Sequence, residues 1–267
     1  MIRNLLLSGG PGHDFVQTSA ALAKILASAD EPTSSLGEQR PEQVATNRIV
    51  TEIVTEIVTD PEQFFELVRS SSQGKIEPWD LITVNALRWQ MRQDRYAKER
   101  SEWAYTIQEN DLQLLAAFVA EGGGLLAVHT AVICFDAHPL WHQMLGASWN
   151  FATSSHPPEG EFEVTVTAEG LAHPLTTAAS NFFITDELYG FLDQVPDLTP
   201  LLSARYLGRE QPLLWTQSLG QGRVVTDLLG HSVDSLTNAT HKSILVRAAH
   251  WAARSSERMH GDSVGSS

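Results

Sequence analysis

Apolar and polar positions along this chain fall into short apolar runs separated by stretches with helical spacing. From Asn4 to Ser8 an apolar run ends in Gly9-Gly10-Pro11-Gly12, and Phe15, Leu22, Ile25 and Leu26 then recur on one helical face, so the pattern predicts strand, tight turn and helix. Residues 28–47 are polar with two prolines and too few apolar side chains to offset the entropy of ordering, which predicts a mobile loop. Ile49 to Thr59 repeats I-V-T-E every four residues. That spacing fits neither strict alternation nor a helix stripe, and its β-branched content favours strand. Asp60-Pro61 opens a helix, with Asp60 as the cap and Pro61 at the first helical position, where a missing N–H is harmless.

Trp79 to Val84 reads as a short buried strand, and Asn85 to Thr106 as a long lid or binding loop carrying Trp89, Trp103, Tyr96 and Tyr105. A helix from Gln108 to Ala120 stops at Gly122-Gly123-Gly124, and Leu125 to Val128 is apolar throughout, as a central strand must be; it delivers His129. The second half is richer in strands. Phe162 to Thr167 alternates, Phe182 to Thr185 leads into Asp186-Glu187-Leu188-Tyr189, and Leu213 to Thr216 and Arg223 to Leu228 read as a hairpin around Gly220-Gln221-Gly222. A helix from His241 to Ala253 closes a single domain over residues 1–254, and residues 255–267 read as a disordered tail. Together these elements predict an α/β fold: a flavodoxin-like parallel sheet with an antiparallel extension.

Composition narrows the partners. With 32 acidic and 18 basic residues the net charge is -14, which disfavours nucleic acid and anionic membranes and leaves a small neutral ligand as the natural partner. Cys134 is the only cysteine, so neither an internal disulfide nor a thiolate metal cluster can form, and a cytoplasmic setting is expected. The opening three-leucine run is too short for a signal-peptide core, and no apolar stretch approaches bilayer-spanning length. Exposed Trp and Phe side chains would suit a homo-oligomer interface.

In an open parallel sheet the ligand crevice lies beyond the carboxyl ends of the strands, where strand order reverses. That rule selects the Gly9 to His13 turn, the segment after Val84, His129, Glu187 and His231. His129 sits where hydrolases of this architecture carry a nucleophile on a strand-to-helix elbow. A following helix amino terminus would favour its neutral imidazole, able to act as base or metal ligand; the plainer alternative is a hydrogen bond to a neighbouring loop. Glu187 could be a general acid or base, or could form a structural ion pair with Arg205 or Arg223. Because neighbouring strand residues face opposite ways, only one of Asp186 and Glu187 can reach the crevice, and Glu187 is the choice. Gly10, His13, Trp89, Tyr189 and His231 are candidate substrate-binding residues. His13, His129, Glu187 and His231 are chemically suited to a divalent metal, although their spacing is no recognised metal motif. The Gly9 to Gly12 turn lacks both the spacing and the lysine of a phosphate loop.

The string Gly122 to Ala131 (GGGLLAVHTA) resembles the glycine-rich stretch of ThuA-like (trehalose utilisation) proteins, a branch of the class I glutamine amidotransferase-like superfamily. Trp141, Leu145-Gly146-Ala147, His156-Pro157, His173-Pro174, Asp186 to Tyr189, Pro212 to Trp215, Gly220 to Val224 and Leu229-Gly230-His231 are similar to that family's motifs and keep its order across residues 4–253. The chain departs from it at Gln211-Pro212, where His-Pro is usual, and over 28–58 and 85–106. The resemblance implies the amidotransferase-like fold without glutaminase chemistry, which needs a reactive cysteine at the elbow where this chain has His129. It also implies work on a sugar or oxidised sugar derivative; in that reading His129 and Glu187, placed at the crevice by the strand-end rule, would be acid–base or metal-assisted catalysts, and the Trp and Tyr of the lid could stack on sugar faces. The alternatives are a small-ligand-binding protein without turnover and a structural subunit.

Overall fold

The computed structural model describes residues 1–28 and 51–253; the tail 255–267 and the polar segment from residue 29 onward lie outside the described residues. The first apolar run becomes β1 (Ile2–Gly9), in which Leu5, Leu6 and Leu7 are wholly buried. Asp14 caps α1 (Phe15–Ala27) by accepting from the Gln17 N–H at 3.0 Å. β2 (Ile53–Val58) is the edge strand read from the I-V-T-E repeat; Ile53 and Val58 face the core while Val54 and Ile57 stay exposed, as an edge allows. Asp60 and Pro61 start α2 (Pro61–Ser72) as their chemistry predicts, with the Asp60 carboxylate accepting from the Glu62 N–H.

β3 (Leu81–Ala86) is buried at every position and runs two residues further than the sequence indicated. The segment after it is no loose loop. It contains a 3₁₀ turn at Asp94–Tyr96 and the short α3 (Arg100–Trp103), and Phe15, Leu87, Trp89 and Met91 form a small core of their own beneath Tyr96 and Trp103. The Arg100 side chain fastens this lid by donating to the Met91 carbonyl at 2.9 Å. α4 (Glu109–Ala120) and β4 (Gly124–Val128) follow as read.

The expected α-helix after His129 is instead a 3₁₀ run over His129–Ala137, broken where Phe135 and Asp136 adopt positive φ. The dipole of an α-helix is therefore not available there to hold the imidazole neutral. Beyond it lie α5 (Pro139–Leu145), β5 (Ala147–Ser148), β6 (Gly160–Val166), α6 (Ala168–Ala172), β7 (Phe182–Asp186), β8 (Asp193–Gln194), β9 (Pro200–Tyr206), β10 (Arg209–Leu219), β11 (Gly222–Asp227), α7 (Val233–Thr237) and α8 (Ala239–Ala252). β9 is absent from the sequence reading, and the predicted hairpin is much longer on its β10 side.

Nine strands form one sheet in the order β2-β1-β3-β4-β11-β10-β9-β6-β7, while β5 and β8 pair separately. β2, β1, β3, β4 and β11 run parallel, and the strands from β10 onward pair antiparallel. The fold is thus α/β with a mostly parallel, flavodoxin-like sheet and an antiparallel extension. Strand order reverses at β1, with β2 added on one side of it and β3 on the other, and this places the crevice at the carboxyl ends of β1, β3, β4 and β11. No helix among the described residues is long and apolar enough to cross a membrane. Every tryptophan is at least partly buried, so the exposed aromatic surface expected of an interface reduces to phenylalanines such as Phe151 and Phe183.

Candidate functional site

Four segments deliver polar side chains to one point. The β1–α1 turn supplies His13, the end of β4 supplies His129, the loop after β11 supplies His231, and the residue after β7 is Glu187. Glu187 Oε2 lies 3.4 Å from His231 Nδ1, 3.6 Å from His129 Nε2 and 3.8 Å from His13 Nε2. A fourth imidazole, His156, approaches the other carboxylate oxygen, with Nδ1 3.5 Å from Oε1. Among the described residues the ion-pair partners of Glu187 are these histidines, and neither Arg205 nor Arg223 is among them, so the structural ion pair weighed from sequence does not form.

His129 is held from behind. Its Nδ1 lies 2.8 Å from the Leu228 carbonyl, which can only accept, so Nδ1 carries the proton and Nε2 faces Glu187. The loop bond considered as the plainer alternative is therefore real, and it orients the ring toward the cluster. The backbone of His129 has φ 49°, a left-handed conformation uncommon for a residue with a Cβ. Tyr189 packs on the same ring at 4.5 Å between centroids.

Asp186 does the complementary work for His231. As the last residue of β7 it turns into the interior, accepting from the Gly230 N–H at 2.8 Å, the His231 N–H at 3.3 Å and the Ser235 hydroxyl. Gly230 has φ 120°, and a Cβ there would sit 2.9 Å from Val128, so glycine is required for the loop to pass beneath His129. Of the two neighbouring carboxylates Glu187 lines the cavity and Asp186 is buried, and this anchoring by Asp186 was not expected from the sequence.

Burial alone would raise the Glu187 carboxyl; the facing rings of His129, His13 and His231 outweigh it and hold the group well below the usual carboxylate range. His13 is lowered, chiefly by burial and against the pull of Glu187, whereas His231 is raised, chiefly by Glu187 and against burial. Burial and the Glu187 charge push the Tyr189 phenol well above its ordinary value. The donor atoms of His13, His129, Glu187 and His231 all lie within 4.8 Å of one another, a set that could hold a divalent ion.

A cavity of about 550 Å³ beside the cluster is walled by Trp89, Tyr96, Trp149, Phe151 and Tyr189, by Arg95 and Glu99, and by His13, His156 and Glu187 of the cluster; His231 and the buried His129 are not among its lining residues. Trp89 and Tyr189 thus line it as the sequence suggested. Gly10 does not; it lies under Leu87, whose carbonyl oxygen would be 2.5 Å from a Cβ at that position, so its task is close backbone packing. His156, which also lines the cavity, was not among the residues singled out from the sequence. Its one signal was the His156-Pro157 pair within the ordered set of motifs. Cys134 is fully buried, bonded through sulfur to the Ala86 carbonyl at 3.1 Å, with its thiol pushed up to about 12 mainly by burial.

These features define an α/β protein with an imidazole–carboxylate cluster at the carboxyl edge of its sheet. The sequence profile of the ThuA family, described as trehalose utilisation, matches residues 9–252, and the chain belongs to that family. Among solved structures it is similar to a ThuA-like protein from Parabacteroides merdae, at 17% identity and TM-score 0.66, over 95% of this chain and 90% of that one. It is similar also to a protein from Salmonella typhimurium described as cytoplasmic, at 15% identity and TM-score 0.59, over 94% of this chain and 99% of that one. A β-galactosidase from Rahnella contains a region of the same fold, at 11% identity and TM-score 0.53, over 96% of this chain but 31% of the enzyme. Comparison with curated proteins finds no match.

Proposed function

We propose that this protein is an enzyme acting on a sugar or oxidised sugar derivative in carbohydrate utilisation, with its chemistry carried by Glu187 and the histidines around it. The observation that carries this reading is the packing of four imidazoles against one carboxylate on the wall of an aromatic-lined cavity. Trp89, Tyr96 and Trp149 supply flat apolar surface on which a pyranose face can stack, and Glu99, Arg95, Ser154 and Ser155 supply partners for hydroxyl groups. The family's description points to the same substrate class.

The roles follow from position. His129, buried and fixed by Leu228, is a base or electrostatic anchor at the reacting centre. Glu187 is the charged partner that stabilises any imidazolium formed beside it. His156 is the most exposed of the four rings, and its Nδ1 bonds the Pro157 carbonyl at 2.9 Å, which leaves Nε2 to exchange protons with ligand or solvent. His13 and His231 orient the ligand or hold a metal. The buried, high-pKa Cys134 speaks against thiolate-based amide hydrolysis. A cytoplasmic setting belongs to this reading and is supported by the single cysteine and by the description of the Salmonella neighbour.

Incubation of the purified protein with disaccharides and 3-keto-glycosides, with and without divalent metal and followed by NMR, tests the proposal. Time-dependent conversion of at least one compound is expected. Saturable binding without conversion would instead favour a ligand-binding protein, and neither binding nor conversion would overturn the carbohydrate assignment.

A further inference from the structure

The geometry points to a divalent transition-metal site formed by His13 Nε2, His129 Nε2, His231 Nδ1 and one oxygen of Glu187. Separations of 3.4, 3.6 and 3.8 Å between these nitrogens and Oε2 are too long for N–H···O hydrogen bonds, which fall near 2.7–3.2 Å. All three nitrogens are buried and have no hydrogen-bond partner. Three orphaned nitrogens gathered around a single carboxylate oxygen are costly.

The same separations suit a shared cation. Two donors each about 2.1 Å from a tetrahedral ion lie roughly 3.4 Å apart, close to the three edges that meet at Glu187 Oε2, and all four donor atoms lie within 4.8 Å of one another. The tautomers agree as well. His129 spends its Nδ1 proton on the Leu228 carbonyl and so turns the Nε2 lone pair inward, the arrangement by which metal-binding histidines are usually fixed from behind. His231 has Glu159 4.0 Å from its Nε2, so a proton held there leaves Nδ1 free as a ligand. With the imidazoles neutral, three lone pairs and the anionic Glu187 oxygen would converge on one point, and a dication is what such a point attracts.

The donor set also selects the ion. Three imidazoles and one carboxylate suit Zn²⁺, Mn²⁺, Fe²⁺, Co²⁺ or Ni²⁺, whereas Ca²⁺ and Mg²⁺ call for oxygen ligands. His156 stands outside the set, on the opposite carboxylate oxygen. A fifth position, on the cavity side where His13 and Glu187 form the wall, is left for water or for a ligand hydroxyl or carbonyl oxygen. In the sugar-acting reading such an ion would polarise that oxygen, but the metal site itself does not depend on which substrate is correct.

Chelator-stripped protein titrated with Zn²⁺ and with Co²⁺ by calorimetry, alongside the visible spectrum of the Co²⁺ form, tests the site. One ion per chain is expected, with a cobalt d–d band, and His129→Ala or Glu187→Ala should weaken binding by at least ~100-fold. His138→Ala, a surface histidine paired with Glu109, should bind as the wild type does. Circular dichroism checks that each variant folds, and His13→Ala, on the β1–α1 turn, carries the same expectation should His129→Ala fail to fold. Absence of saturable binding by the wild type, or equal affinity in the folded cluster variants, would overturn the site. Metal binding with neither sugar binding nor sugar conversion would leave it standing while removing the carbohydrate reading.

Discussion

The carboxylate of Asp186 accepts the backbone N–H of Gly230 at 2.8 Å across 44 residues of sequence, and in doing so ties the strand end that presents Glu187 to the loop that presents His231. Its neighbouring contacts with His231 N–H and the Ser235 hydroxyl close the link. Removal of this buried acceptor in Asp186→Ala would strand at least two donors, a cost of about 2–4 kcal/mol that urea unfolding should register. Loss of the anchor also frees His231 to wander. Affinity for Zn²⁺ should therefore fall by about 10- to 100-fold, the range for residues that support metal ligands; an unchanged unfolding midpoint and affinity would show that the loop holds its place without Asp186.

Cys134 makes a separate prediction. With its thiol buried and pushed up to about 12, Ellman's reagent at pH 8 should react only as fast as the protein unfolds. Cys134→Ala should retain whatever turnover the wild type shows. Rapid labelling of the native protein would mean that the thiol is accessible after all.

A second buried histidine governs stability rather than chemistry. His241 Nε2 lies 3.0 Å from Asp227 Oδ2, and its Nδ1 lies 2.9 Å from the Ser235 carbonyl. Burial opposes protonation, but the Asp227 charge and hydrogen bonds prevail, and the pKa is raised above its ordinary 6.5. A raised pKa in the folded state means that this pair's contribution is fully present below pH 6.5 and is lost as pH climbs through the folded value. Thermal stability should decline over that range in the wild type and vary less in Asp227→Asn, which keeps an oxygen for the Leu229 N–H bonded at 3.0 Å. Parallel pH profiles for the two proteins would contradict the assignment.

Much of the site could be read from sequence because its residues obey a positional rule. His13, His129 and His231 each follow a parallel strand, and a strand's carboxyl end in an open α/β sheet faces the crevice whatever the rest of the chain does. Glu187 could be separated from Asp186 by the alternation of strand side chains alone. What escaped depends on contacts between distant segments. His156 sits in a loop with no hydrophobic period, and only its meeting with Glu187, 31 positions on, gives it meaning. The same holds for the anchoring task of Asp186. β9 escaped for a different reason: Pro200-Leu201-Leu202 carries a proline and no alternation, and its strand state is fixed by pairing with β10. The lid, expected as a long loop, owes its order to the small core around Trp89 and Met91, which requires Phe15 from another segment.

The account rests on Glu187 as the charge about which the imidazoles work, and Glu187→Gln probes that with little change in shape. The decisive measurement is kcat/KM of this variant beside the wild type on a sugar derivative that the wild type converts. A drop of at least ~100-fold with unchanged circular dichroism is the predicted result; a variant that turns over as fast as the wild type would show that the cluster does not perform the chemistry.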